Sequence, residues 1–185
     1  MDSGYTRTAK AIHWAMAVTI IAVWFIGFYA ANLRGDVPRG GLALTIHKAI
    51  ASAVLFLIAG RLVYRLTARY PGLPAGITGR TAQAAKGVHL LLYGVMIAAP
   101  FSGWYWSSVA GHPGTILGLF KLPALVDTNL ANEDVAMWVH RGVTWTAGIL
   151  IVGHVIAALK HHLVDRDETL LRMLPGRKVI VESER

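Results

Sequence analysis

The chain has 185 residues, of which 55% are hydrophobic and only 15% are charged, and its mean hydropathy is +0.49. This composition is too apolar for an ordinary soluble domain and predicts a protein of the lipid bilayer. The absence of cysteine excludes a disulfide framework, an iron–sulfur cluster and thiol-attached haem. We interpret the net charge of +8 as contact with anionic lipid head groups, and we expect no nucleic-acid partner.

Four apolar windows, at residues 8–31, 42–64, 87–109 and 135–159, predict the helices. Each is long enough to cross a bilayer and is bounded by charges, proline or glycine. The first window contains His13 and Trp14 and does not fit a cleaved signal peptide. We therefore expect one all-α membrane domain over residues 1–185, an integral membrane four-helix bundle with no evident internal repeat.

Two connecting segments and a tail complete the predicted domain. The segment 70–81 is expected to be a loop, and the outer segment 111–132 should contain a short turn or helix around residues 117–125. The polar tail, residues 165–185, is expected at the inner surface, with its last residues disordered.

Charge asymmetry predicts the orientation of the helices. The connector between the second and third windows carries several basic residues and no acid, whereas the other two connectors are close to neutral. By the positive-inside rule this connector is cytoplasmic, and so are both termini.

The fourth window contains His140 and His154, which are fourteen residues apart. On a helix this spacing brings the two imidazoles within about 40° of one face and separates them by about 21 Å. An imidazole inside hydrocarbon is costly, so its presence indicates a metal, a proton path or a bundle interior. One helix therefore offers candidate ligands at two depths.

The remaining histidines can be placed by the same count of residues. His47 lies level with His140 near the outer side, while His13, His89 and His154 lie near the inner side, where any two would suffice for a second site. A six-coordinate haem takes two axial imidazoles from facing helices, and a four-helix bundle is a common scaffold for it. The spacing predicts two haems stacked along the membrane normal. A haem-free transporter or ion-binding bundle, using the histidines for protons or metal, is the alternative.

Other residues on these helix faces suit large planar anionic ligands. Gly27 and Gly103 lack a side chain where the outer macrocycle would approach. Arg61 and Arg65 could hold an inner-haem propionate, stabilise a semiquinone anion or simply snorkel to the surface. Lys48 and Arg141 could meet the outer propionates. His89 and His161 are candidates for a quinone head group or a proton relay.

Several segments together resemble the bacterial cytochrome b561 family: AIHW, TIHK, HLLLYGVMIAAPFSGW, WVHRGVTWTAGILIVGHVIAALKHH and DETLLRMLP. The resemblance covers nearly the whole chain. It implies a bacterial inner-membrane protein in which His13 and His154 hold the inner haem b and His47 and His140 hold the outer one.

The resemblance also implies electron transfer, which agrees with irons that have no open position. The chain is most similar to the short members that oxidise superoxide at the periplasmic face and reduce ubiquinone. Basic residues of the outer side would attract such an anion: Arg34, Arg39, Lys48, Lys121 and Arg141. The alternative is a cytochrome b subunit that passes electrons between a periplasmic redox protein, such as a dehydrogenase or hydrogenase, and the quinone pool.

Overall fold

A computed structural model describes residues 4–32, 41–68, 71–74 and 76–176. Its main elements are four helices: α1 (Arg7–Asn32), α2 (Leu42–Thr67), α3 (Gly79–Val109) and α4 (Glu133–Lys160). All four are long and apolar enough to span a membrane. The predicted all-α membrane four-helix bundle is confirmed.

The third helix begins at Gly79, earlier than the apolar window that starts at residue 87. Its first two turns, GRTAQAAK, are polar but contain three alanines together with one arginine, one glutamine and one lysine, all strong helix formers. A hydropathy window cannot detect such a segment, so the loop predicted over residues 70–81 extended too far along the chain.

The helices form two hairpins. α1 packs along α2 and α3 along α4, whereas α2 and α3 contact each other less. Few side chains are buried within the protein, and large apolar ones such as Phe25, Leu90 and Ile149 are exposed. Helices that are apolar on all sides need lipid around them, so this exposed surface is the face that the bilayer covers.

The connection between α3 and α4, at the end of the bundle that we call outer, contains a short antiparallel hairpin of β1 (Thr115–Ile116) and β2 (Phe120–Lys121). At its tip the N–H of Leu119 donates to the carbonyl of Ile116 over 2.8 Å, and Leu117 and Gly118 both have positive φ, which is a type I′ turn. The predicted turn is therefore present, and the alternative of a helix here was wrong. The N–H of Leu117 donates to Ser52 Oγ over 2.8 Å, which holds the loop on α2.

The opposite end of the bundle, which we call inner, is closed by residues 166–176, which follow a π-helical turn at His161–Asp165. Lys10 Nζ donates to the carbonyl of Leu174 over 3.0 Å, and Trp14 Nε1 donates to that of Met173 over 2.9 Å. The start of α1 is thereby joined to the end of the described chain. Arg34 and Arg39, and the tail beyond residue 176, lie outside the described residues.

Candidate cofactor site

His47 on α2 faces His140 on α4, and their ring centres are 6.4 Å apart. A bond between a metal and an imidazole nitrogen is about 2 Å long, so two imidazoles on opposite sides of one metal have ring centres roughly 6 Å apart. The outer pair therefore has the separation that a shared metal requires.

The orientation of His47 is set by α1. Its Nδ1 lies 2.9 Å from the carbonyl oxygen of Val23, which can only accept, so Nδ1 carries the proton and Nε2 keeps a free lone pair. A Cβ at Gly27 would lie 2.6 Å from Cε1 of His47. Because glycine has no side chain here, the His47 ring can approach α1 closely enough to bond to the carbonyl of Val23.

His140 is held in a similar way by α3. Ser102 Oγ donates its single proton to the carbonyl of Ala99 over 2.9 Å and accepts from Nδ1 of His140 over 3.0 Å. A Cβ at Gly103 would lie 3.0 Å from Cε1 of His140. Nε2 is again left for a ligand, and such outer hydrogen bonds are the usual means of orienting a metal-binding histidine.

The two glycines were predicted to make room for a macrocycle, but in the structure they make room for the imidazoles. The backbone of α1 at Gly27 and of α3 at Gly103 lies directly against a histidine ring.

Three histidines meet at the inner level, as their depths predicted. The ring centres of His13 and His154 are 6.4 Å apart, the same separation as in the outer pair. His89 lies nearer still to His154, with ring centres 5.5 Å apart. His154 therefore has two imidazole neighbours, one on α1 and one on α3.

A cavity of about 1140 Å³ lies between the two hairpins in the outer half of the bundle. Residues of all four helices line it, and they include both outer histidines and both glycines. This volume exceeds the roughly 300–1,000 Å³ of common ligand pockets. The cavity and the facing rings of His47 and His140 fit a large planar group with a central metal, as haem is.

The predicted cations lie at the expected levels. Lys48 and Arg141 border the outer cavity; Lys48 Nζ donates to the carbonyl of His112 over 2.9 Å, and the Arg141 guanidinium lies 5.2 Å from the ring centre of Trp138. At the inner level Arg61 is close enough to His13 and His154 for their charges to interact.

A second inner arginine joins Arg61 around one aromatic ring. Arg61 Nε donates to the hydroxyl of Tyr93 over 3.2 Å, and the Arg65 guanidinium lies 5.7 Å from the same ring centre.

His161 has carboxylate partners that the sequence did not predict. Its Nδ1 lies 2.7 Å from Asp167 Oδ2 and 3.1 Å from Asp165 Oδ2, and Lys160 pairs with Asp165 over 2.8 Å. Burial tends to raise the pKa of Asp167, but hydrogen bonds from Thr169 and His161 outweigh it and hold the pKa below its ordinary value. His161 thus belongs to a charged network where α4 ends.

Sequence reasoning missed four residues of this region: Val23, Trp24, Tyr93 and Ser102. Trp24 donates to the carbonyl of Thr144 over 3.1 Å and joins α1 to α4. Tyr93 lies four residues after His89, and this spacing on a helix was a usable signal. Val23 acts through its backbone carbonyl, so its side-chain type carried no signal of this role.

A profile of the family described as prokaryotic cytochrome b561 matches residues 4–176. The chain belongs to this family. Cytochrome b561 homolog 2 of Escherichia coli (strain K12) is 31% identical, over 92% of this chain and 90% of the relative. The probable superoxide oxidase CybB of Yersinia pestis is 29% identical, over 96% of this chain and 99% of the relative. Membership makes the protein a membrane electron-transfer cytochrome, with haem b as the cofactor that the family implies.

Proposed function

We propose that this cytochrome b561 protein holds two haem b groups, one between His47 and His140 and one between His13 and His154. The observation that supports this most directly is that both pairs have ring centres 6.4 Å apart and that α4 contributes one member to each. Bound at these positions, haem iron supplies one-electron chemistry.

The protein's own groups favour electron transfer over substrate chemistry at iron. Both imidazoles at each level would hold the haem, and the chemistry supplied there would be the transfer of single electrons. The hydrogen bonds of His47 to Val23 and of His140 to Ser102 keep each Nε2 directed away from the helix that supplies the bond.

The proposed electron donor is superoxide at the periplasmic face. Lys48 and Arg141 border the outer cavity, and Lys121 is exposed in the outer hairpin. Cations at the mouth of a cavity attract an anion. A relative named as a probable superoxide oxidase supports the same donor.

The proposed acceptor is ubiquinone near the inner side. Two superoxide anions would each lose one electron and become dioxygen, and one quinone would take both electrons and two protons to become quinol. The basic connector between α2 and α3 supports a bacterial inner-membrane protein with both termini in the cytoplasm. In this orientation the protons come from the cytoplasmic side. Residues 1–185 act as one membrane domain in this proposal.

The test is quinone reduction by purified haem-loaded protein supplied with a steady flux of superoxide. The wild type should reduce ubiquinone-1 and consume superoxide faster than spontaneous dismutation. His140→Ala should abolish this coupling, whereas His112→Gln, in the outer loop, should retain it.

Haem-loaded wild type that neither consumes superoxide nor passes electrons to quinone would overturn the proposed activity. The protein would then act as a subunit that receives electrons from a periplasmic redox protein, such as a dehydrogenase or hydrogenase. Co-purification would identify that partner.

A further inference from the structure

The two hairpins are spaced alike in sequence, although no repeat is evident by eye. On α1, Gly27 follows His13 by fourteen residues, and on α3, Gly103 follows His89 by fourteen. On α2, Arg61 follows His47 by fourteen residues, and on α4, His154 follows His140 by fourteen.

The hydrogen bonds repeat as well as the spacing. In each hairpin the first helix supplies both a glycine against the ring and the acceptor for the outer histidine of the second helix. A basic residue follows that histidine in both cases, Lys48 and Arg141. The α1–α2 and α3–α4 hairpins are therefore equivalent units.

This equivalence has a consequence at the inner level. In the equivalent hairpins, His13 on α1 corresponds to His89 on α3. Likewise His154 on α4 corresponds to Arg61 on α2. A guanidinium has only donors and does not coordinate metal. The second inner position thus resembles the first in placement, but it suits an oxygen acceptor and not an iron.

The chemistry of this second position is well defined. Arg61 Nε donates to Tyr93 Oη over 3.2 Å. Among the described residues this is the one hydrogen bond of the guanidinium, so its two terminal amino groups have no acceptor within the described part of the chain. Because Tyr93 Oη accepts from Arg61, its own proton is available to a ligand. His89 lies four residues before Tyr93 on α3, so the two side chains are on the same helix face.

An unsatisfied cation inside a membrane protein marks a functional site. The ligand here must offer oxygen acceptors and reach the site from the bilayer, because His89 is exposed on the apolar surface and α2 and α3 pack loosely. A quinone has two carbonyl oxygens and an isoprenoid tail that remains in lipid.

We propose that Arg61, His89 and Tyr93 bind the quinone head group. This inference rests on the proposed reduction of quinone and names its site. Arg61 and Tyr93 donate hydrogen bonds to the quinone oxygens, and the neutral His89 ring is placed to donate another. The His89 ring is 5.5 Å from that of His154, so a quinone bound here lies beside the inner pair. Each quinone would take the two electrons that the proposed oxidation of two superoxide anions supplies, plus two protons, and would leave as quinol.

The experiment follows haem oxidation without superoxide. Purified protein with both haems is reduced with dithionite, freed of excess reductant and mixed without oxygen with increasing ubiquinone-1. Tyr93→Phe should raise the half-saturating quinone concentration roughly two- to tenfold, the equivalent of one hydrogen bond. His89→Leu, which removes the proposed donor, should raise it as well. Tyr105→Phe, at the outer end of α3, and His112→Gln should behave as the wild type.

Two results would overturn this site. In one, ubiquinone-1 fails to oxidise the wild type, or both inner variants match it. In the other, the variants lose haem or shift its spectrum while the quinone dependence is unchanged. Arg61, His89 and Tyr93 would then bind the carboxylates of the inner haem. Superoxide-driven haem reduction is measured on the same samples. If it fails while the quinone results hold, the donor was wrong and the quinone site stands.

Discussion

The carbonyl oxygen of Val23 on α1 accepts a hydrogen bond of 2.9 Å from Nδ1 of His47 on α2. The contact lies within one hairpin, and it fixes both the tautomer and the direction of the ring. A ligand held in this way pays less conformational entropy on binding metal, because its rotamer is already chosen.

Gly27 allows this contact, and Gly27→Ala should disrupt it. The new Cβ would lie 2.6 Å from Cε1 of His47, so the ring must move, at a cost of about 1–3 kcal/mol for overpacking. We expect loss of the outer haem or an altered low-spin EPR signal. Gly103→Ala, at 3.0 Å from His140, should have a smaller effect.

Gly60→Ala on α2 and Gly94→Ala on α3 are matched controls, because a Cβ at either position has nothing within 4 Å. Equal haem loss in all four variants would show that the effect is general helix destabilisation and would contradict the assigned contact.

Haem content tests the two-site arrangement. The wild type should contain two haem b per chain by the pyridine haemochrome assay. His140→Ala should lose chiefly the outer haem and His154→Ala chiefly the inner one, because the two residues lie about 21 Å apart along α4. One haem or none in the wild type would end the two-haem proposal.

The sequence predicted the helices and the depths of the histidines because both depend on spacing along a regular helix. It did not predict the first turns of α3, which are polar, or the partner of His47, which is a backbone carbonyl. The equivalence of the hairpins was also missed. This equivalence consists of a spacing of fourteen residues that recurs in each of the four helices. The residue types at corresponding positions differ, as Arg61 and His154 do, so a comparison of residue types does not reveal it.

Orientation can be tested with single cysteines, since the natural chain has none. Gly76→Cys and Pro113→Cys place thiols in exposed loops on opposite sides. A membrane-impermeant thiol reagent added to intact cells should label position 113 and not position 76. The opposite pattern would place the proposed superoxide face in the cytoplasm.

Superoxide capture should depend on ionic strength. The Debye length falls from about 30 Å at 0.01 M to about 10 Å at 0.1 M, so steering by outer cations weakens as salt rises. Replacing Arg34, Arg39 and Lys121 together by glutamine should flatten this dependence and leave the haem spectrum unchanged. A salt response identical to the wild type would exclude these cations from steering.

Asp167 should make the inner end sensitive to acid. Its pKa is lower in the folded protein than its ordinary value of 3.8. Its contribution to stability is therefore present above that value and is lost as pH falls through the lowered pKa. Asp167→Asn should reduce thermal stability in detergent at pH 7 and narrow the difference between pH 7 and pH 3. An unchanged difference would mean that other carboxylates dominate the acid response.

The place of α4 in the chain has a consequence for assembly. Of the four helices described above it is synthesised last, yet it carries one member of both histidine pairs. Until it inserts, α1, α2 and α3 present only unpaired halves of the proposed ligand sets. Haem loading at either level must then wait for α4, and a nascent chain stalled before this helix would hold neither cofactor by two ligands.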